Sequence, residues 1–220
     1  MRRNNHRLFE LGEKVPDIKL EQKFRKLGYK VIAGIDEAGR GPLAGPVVAG
    51  AVILPERIPT NSPLWRIRDS KKLSSKIREE LFELIIKTAL AVGIGEASPE
   101  EIDRFNIFKA SLLAMARAIE ALKVQPDFCL IDGAHPLPYP PCQAIIKGDS
   151  ISLSIASASI IAKVARDRKM LELHNLYPVY NFHQNKGYGT KEHKQALFEK
   201  GPSPVHRVSF QPVRVCLRRV

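Results

Sequence analysis

Gly34-Ile35-Asp36-Glu37-Ala38-Gly39-Arg40-Gly41-Pro42-Leu43-Ala44-Gly45-Pro46 sets two adjacent carboxylates directly before a glycine-rich turn that no helix continues through. Val31 to Ile35 ahead of the turn is a short apolar run that reads as a buried strand, and Pro46 to Leu54 behind it is a second. The carboxylates therefore stand at a strand end, facing a tight loop. Successive strand residues point to opposite faces, so Asp36 and Glu37 share one centre only if the strand ends there or bulges, a break that Gly39 and Gly41 permit. One reading is a divalent-metal site, because hard oxygen ligands suit magnesium or manganese and a cation relieves the repulsion between close carboxylates. The other is a solvated acidic pair opening a turn.

The loop also fits the loose dinucleotide-binding pattern of two close glycines and a third small residue. That reading fails, because Pro42 and Gly45-Pro46 break the helix it needs and the carboxylates would repel a pyrophosphate. Backbone contact with a phosphate or sugar, with Arg40 adding charge, is the better use.

Further along, Ser74 to Leu90 reads as a helix, Ala91 to Ala97 as a strand, and Ser98 to about Lys123 as a capped helix ended by Gln125-Pro126. Phe128 to Ile131 is a buried strand closed by Asp132-Gly133, repeating the opening device. If the two strands are neighbours, Asp36 and Asp132 meet. Gln143 to Lys147 gives a fifth strand, and Asp149-Ser150 leads into a long helix. There Leu153, Ser157, Ile160, Val164, Asp167 and Leu171 make one inward stripe, while Lys163, Arg166 and Lys169 lie off it. An inward Asp167 needs a cation, a partner such as Lys163, or an edge position to offset several kcal/mol of desolvation. Beyond Leu176, Tyr177-Pro178-Val179-Tyr180, Lys186-Gly187-Tyr188-Gly189-Thr190 and a helix-like Lys191 to Lys200 mix aromatics with bases and glycines. That composition suits stacking and phosphate binding, although the tyrosines read equally as packing residues.

The chain of 220 residues, 44% hydrophobic, is long enough for one good-sized core. Its net charge of +12 is concentrated at the ends: residues 1–30 carry nine Lys/Arg against four acids and residues 186–220 eight against two, while the body is nearly balanced. Basic ends around an acidic centre suggest a nucleic-acid enzyme; charge for solubility is the alternative. Cys129, Cys142 and Cys216 show no paired spacing, which argues against zinc and a disulfide framework and for a reducing compartment. His183 and His193 read as surface or phosphate-contacting groups. Met1 to Lys30 is a charged leader with Leu20, Phe24 and Leu27 at helical spacing; without a continuous apolar segment it does not resemble a signal peptide. No apolar run reaches the roughly 20 residues of a membrane helix, so a cytoplasmic protein without membrane contact is expected.

Taken together the motifs resemble bacterial ribonuclease HII, the type 2 ribonuclease H. The matching segments are Gly34 to Gly41, Asp69-Ser70-Lys71, Leu130-Ile131-Asp132-Gly133, Ile155 to Arg168 with Ala165-Arg166-Asp167-Arg168, Lys186 to Thr190, and Gly201-Pro202-Ser203-Pro204-Val205-His206-Arg207, in family order over residues 31–213. Asn185 departs from the pattern, since the family usually has His before Lys-Gly-Tyr. The resemblance implies an α/β fold: a ribonuclease-H-like mixed β-sheet flanked by helices, residues 31–175, with a small basic helical C-terminal part, 176–220, after the 1–30 leader. It implies that Asp36, Glu37, Asp132 and Asp167 hold two Mg²⁺ or Mn²⁺ ions and that Gly39, Arg40 and Gly41 read the ribose 2′-hydroxyl. It also implies that Tyr188 stacks on the following deoxyribose and that Lys71, Lys186 and Thr190 contact phosphates. The implied activity cuts the RNA strand of RNA–DNA hybrids and the 5′ side of ribonucleotides in duplex DNA, as a monomer, leaving 5′-phosphate and 3′-hydroxyl ends. Ribonuclease HIII is similar in fold but normally carries a longer N-terminal domain. A basic RNA-binding module would gain nothing from four such acids.

Overall fold

The strand expected ahead of the glycine loop is β1 (Ile32–Ala38), and the run behind it is β2 (Val47–Ile53). The structure, a computed structural model, describes residues 15–68, 70, 73–138 and 140–217. β1 and β2 pair antiparallel from Ala33↔Ile53 to Ala38↔Val48, so the glycine loop is their hairpin connection. β3 (Ala91–Ala97) lies antiparallel to β2, β4 (Phe128–Asp132) parallel to β1 and β5 (Cys142–Ile145) parallel to β4. The order β3-β2-β1-β4-β5 is the mixed sheet that the resemblance implied.

Strand alternation divides the core into two layers. Ala33, Ile35, Ala49, Ala51, Ile53, Cys129 and Ile131 face α3 (Pro99–Glu120), which offers Ile102, Ala110, Ala114 and Ala118. Each buried Ile contributes about 1.5–3 kcal/mol. α3 starts at a capping box of Ser98 and Glu101, as the sequence predicts, but is broken at Asn106, φ 69°. The Asn106 Oδ1 accepts from the Lys109 N–H and so caps the second half.

The other face carries α4 (Leu153–Leu176), with α2 (Ser75–Thr88) outside it. From Leu153 to Ala162 every residue of α4 is buried, because the helix is covered on both sides. A Cβ on Gly34 would collide with the Ser154 backbone, so the absence of a side chain there lets α4 lie against the sheet. The expected stripe holds for its first part, but Leu171 is exposed and Arg166 is buried.

α1 (Lys19–Lys26) docks on the start of α4: Glu21 Oε1 accepts from Ser152 Oγ at 2.7 Å, Ser154 N at 3.0 Å and Ser154 Oγ at 2.6 Å. A carboxylate at a helix N-terminus is favoured by the helix dipole. Phe24 stacks on Phe128 with ring centroids 4.2 Å apart, whereas Leu27, placed on the same expected stripe, is exposed. Residues 1–14 of the leader lie outside the described residues.

After α4 come α5 (Phe182–Asn185), α6 (Lys191–Lys200) and α7 (Gln211–Leu217). Met170, Leu173, Tyr180 and Phe182 enclose Ala44, and Leu197 with Val213 encloses Leu43. The apolar half of the glycine loop is thus rooted among the C-terminal helices.

Candidate active site

The parallel ladder of β1 and β4 ends at Ile35↔Ile131, and the next residues in register are Asp36 and Asp132. Both project to the α4 face. β1 itself does not stop at the carboxylates, as the sequence led one to expect: Asp36, Glu37 and Ala38 remain paired with Gly50, Ala49 and Val48. What ends is the pairing with β4, and the parting of the two strands lets Glu37, on the α3 side by alternation, border the same cleft. That cleft measures about 250 Å³ and is lined by Asp36, Glu37, Asp132, Ser159, Lys163, Tyr188 and the Gly39-Arg40-Gly41 loop among others.

Asp36 is 6% exposed. Burial, then the charges of Glu37 and Asp132, push its carboxyl well above the usual range, against a hydrogen bond from Ser159 and one of 2.7 Å from the Glu37 N–H to Oδ1. The Ser159 Oγ lies 2.9 Å from the buried Ser70 Oγ, so a hydroxyl pair orients Asp36 from α4. Burial also raises Glu37, opposed by Arg40, whose Nη1 is 3.3 Å from Glu37 Oε1. Asp132 Oδ1 accepts from the Gly148 N–H at 2.6 Å.

Asp167 stands apart from these three. Its Oδ1 accepts from Lys163 Nζ at 2.6 Å and its Oδ2 is 4.0 Å from Arg78 Nη2. The Lys163 pair weighed in the sequence is therefore formed. Lys163, set off the inward stripe by its spacing, lines the cleft one turn before Asp167. Among the described residues, no three His, Cys, Asp or Glu side chains form a ready-made metal cluster. The donor chemistry nevertheless fits a hard divalent cation: Asp36, Glu37 and Asp132 are oxygen donors whose mutual repulsion, in a buried cleft, such an ion would relieve.

The glycine loop is held from beneath by two buried arginines. Arg166, 1% exposed, donates from Nε to Pro46 O at 3.0 Å, from Nη1 to Lys186 O at 2.9 Å and from Nη2 to Ala44 O at 3.2 Å. Arg207, 0% exposed, donates from Nε to Gly45 O at 3.0 Å, from Nη1 to Arg40 O at 3.0 Å and from Nη2 to Gly39 O at 2.6 Å. Burial lowers them to about 10 and about 9, so both stay charged at neutral pH. The carbonyls of the loop are thereby turned inward.

The other expected contacts fall around this frame. Tyr188 is 48% exposed and its Cε1 lies beside Gly41. Lys186 takes a left-handed backbone at the end of α5 and gives its carbonyl to Arg166. Thr190 Oγ1 caps α6 through the His193 N–H. Lys71 lies outside the described residues. Asn185, the departure from the family pattern, is buried, donating to Tyr180 O and accepting from the Gly187 N–H. His193, expected at the surface, is wholly buried, while His183 is exposed. Ser159, Arg166 and Arg207 escaped the sequence reading. Ser159 shares the four-residue spacing of Lys163 and Asp167 and was open to discovery that way; the arginines pair with carbonyls that no periodicity reveals.

The family description ribonuclease HII matches residues 33–213. The chain is 55% identical over 195 residues to ribonuclease HII of Geobacter sulfurreducens, covering 88% of this chain and 88% of that one. It is 54% identical over 195 residues to ribonuclease HII of Bacillus subtilis, covering 88% and 74%. Among solved structures, the ribonuclease H2 of Pyrococcus horikoshii is similar with a TM-score of 0.72 and 27% identity, over 86% of this chain and 98% of that one.

Proposed function

The chain belongs to the ribonuclease HII family of metal-dependent nucleases, and with activity on RNA–DNA hybrids as the premise we propose that it also cuts 5′ of single ribonucleotides in duplex DNA. The reaction we infer uses two divalent ions, Mg²⁺ or Mn²⁺, and leaves 5′-phosphate and 3′-hydroxyl ends. The observation that carries the reading is the placing of Asp36 and Asp132 side by side beyond the last β1–β4 pair, in a cleft roofed by the glycine loop.

Asp36, Glu37, Asp132 and Asp167 are the residues that would hold the ions. When bound, such a pair supplies an activated water for in-line attack and stabilises the leaving oxygen. The chain's part is preparation. Ser159 and the Glu37 N–H orient Asp36, and the Gly148 N–H orients Asp132. Asp167 would be the fourth carboxylate; in this structure it is paired with Lys163. The inward-turned carbonyls of Gly39 and Arg40 leave the loop its amides to offer a ribose 2′-hydroxyl, the group that tells RNA from DNA. Tyr188 is assigned to stack on the next sugar, supported by its exposure beside Gly41.

Lys71, Lys186 and Thr190 are assigned to phosphates, and the basic 176–220 part to substrate binding beside a 31–175 catalytic core. Among the described residues no helix is long and apolar enough to cross a membrane. We assign the chain to the cytoplasm as a monomer.

The test is incubation with duplex DNA carrying one ribonucleotide, in magnesium, manganese or EDTA, with the cut mapped. Metal-dependent cleavage on the 5′ side of the ribonucleotide supports the reading. Cleavage only within runs of ribonucleotides, or binding without cleavage, defeats it.

A further inference from the structure

Behind Tyr188 lies a buried chain of hydrogen bonds that the reaction described above does not use. The Ser203 N–H is 3.0 Å from His206 Nδ1, and the Ser203 Oγ 2.8 Å from the same atom. His206 Nε2 is 3.0 Å from His193 Nε2, and His193 Nδ1 is 2.9 Å from the Tyr188 carbonyl oxygen. Both ends of this chain have a fixed polarity. A backbone N–H only donates, so His206 Nδ1 is an acceptor and its proton sits on Nε2. A carbonyl only accepts, so His193 carries its proton on Nδ1 and its Nε2 receives from His206. Both rings are then neutral, in opposite tautomers, and every polar ring atom is satisfied.

The surroundings suit this arrangement. Tyr180 meets the His206 ring edge-on at 4.6 Å between centroids and Phe182 meets His193 at 5.4 Å, so water does not compete for the bonds. The segment that bears His206 also holds the glycine loop: Gly45 N–H donates to Val205 O at 2.8 Å and Arg207 N–H to Leu43 O at 2.9 Å. The chain of bonds thus runs from the support of the glycine loop to the main chain of Tyr188.

We propose that His206 and His193 are positioning residues that set Tyr188 relative to the glycine loop, so that ribose reading and deoxyribose stacking fall on adjacent nucleotides. The proposal rests on the assignment of Tyr188 given above. Burial holds both imidazoles below their usual range, His206 at about 4, in keeping with two neutral rings.

The test has two arms. In histidine-selective ¹⁵N NMR of the intact protein at neutral pH, His193 is expected as the Nδ1-H tautomer and His206 as the Nε2-H tautomer; any other pair of states overturns the relay. In kinetics, His206→Phe should lower kcat/KM about tenfold at a single ribonucleotide in DNA while a uniform RNA–DNA hybrid loses far less, since the change removes the donor to His193 Nε2 and leaves that buried acceptor unpaired. His206→Gln, which keeps an amide donor within reach of His193 Nε2, should restore most of the selectivity. In a Tyr188→Ala background, His206→Phe should add nothing. Equal losses on both substrates, or the same further loss without Tyr188, overturn the proposal. If Tyr188→Ala itself leaves the substrate ratio unchanged, the Tyr188 assignment has failed rather than the relay, which the tautomers then decide.

Discussion

The guanidinium of Arg166 occupies the space that a Cβ on Gly39 would fill, at a residue whose φ of 100° already favours glycine. The two residues form one unit, in which a side chain from α4 shapes the turn that follows Glu37. Arg166→Lys keeps the charge but replaces a planar fork by a single ammonium, which cannot serve the carbonyls of Ala44, Pro46 and Lys186 together. Each buried carbonyl left unpaired costs about 1–3 kcal/mol. At about 2–4 °C per kcal/mol for a chain of this size, the melting temperature should fall by roughly 5–15 °C, with cleavage reduced in the surviving folded fraction. Thermal melting checks this; an unchanged transition would show that the arginine does not support the loop.

Asp36→Asn should abolish cleavage while duplex binding survives. Its effect on stability has the opposite sign. Burial, Glu37 and Asp132 raise the folded carboxyl well above 3.8, so the folded state retains a proton that the unfolded chain releases. Metal-free protein therefore loses stability as pH rises from 3.8 through the folded value. Asparagine removes that loss, so the metal-free variant should melt higher than the parent at mildly alkaline pH and gain less from added magnesium. Substantial residual cleavage by the variant would sink the metal assignment.

Tyr188→Ala removes an aromatic platform exposed beside the loop. Stacking on a base is worth about 1–3 kcal/mol and the sugar face is smaller, so at about 1 kcal/mol cleavage at an isolated ribonucleotide should fall roughly fivefold. Binding to plain duplex should change little. Equal losses in the two assays would undo its selective role.

The contrast between Asp132 and Arg166 shows what a sequence discloses. An apolar strand closed by Asp-Gly announces a carboxylate at a strand end, and β4 brings Asp132 beside Asp36 just beyond the last β1–β4 pair. Short apolar runs and a local cap likewise anticipated five strands and the capping box of α3, the fifth strand lying at Cys142–Ile145 rather than Gln143 to Lys147. Arg166 and Arg207 were not legible, since their partners are backbone carbonyls far along the chain, and His193 was not, since it is buried against a carbonyl and a second ring that no spacing reveals. The period that set Arg166 off the inward stripe assumed one partner face for α4. The C-terminal helices and the glycine loop supply another, and there a buried arginine is satisfied by carbonyls.

His206 makes the acid limb of stability a measure of the same hidden packing. It faces the His193 imidazole, the Ser203 hydroxyl and the Tyr180 ring, and burial with the second imidazole lowers it from 6.5 to about 4. Below pH 6.5 the unfolded histidine takes up a proton that the folded one refuses until about 4, so the contribution is complete above 6.5 and is lost as pH falls through that window. His193, also lowered by burial, acts in the same direction. Asp36 opposes them, because its raised carboxyl favours the folded state on acidification. The difference between parent and His206→Phe separates these contributions, since the variant keeps Asp36 and loses one imidazole. The parent's melting temperature should therefore fall more steeply than the variant's between neutral pH and about pH 4.5. Parallel curves would mean that His206 takes up its proton in the folded state, which the acceptor role of its Nδ1 toward the Ser203 N–H forbids.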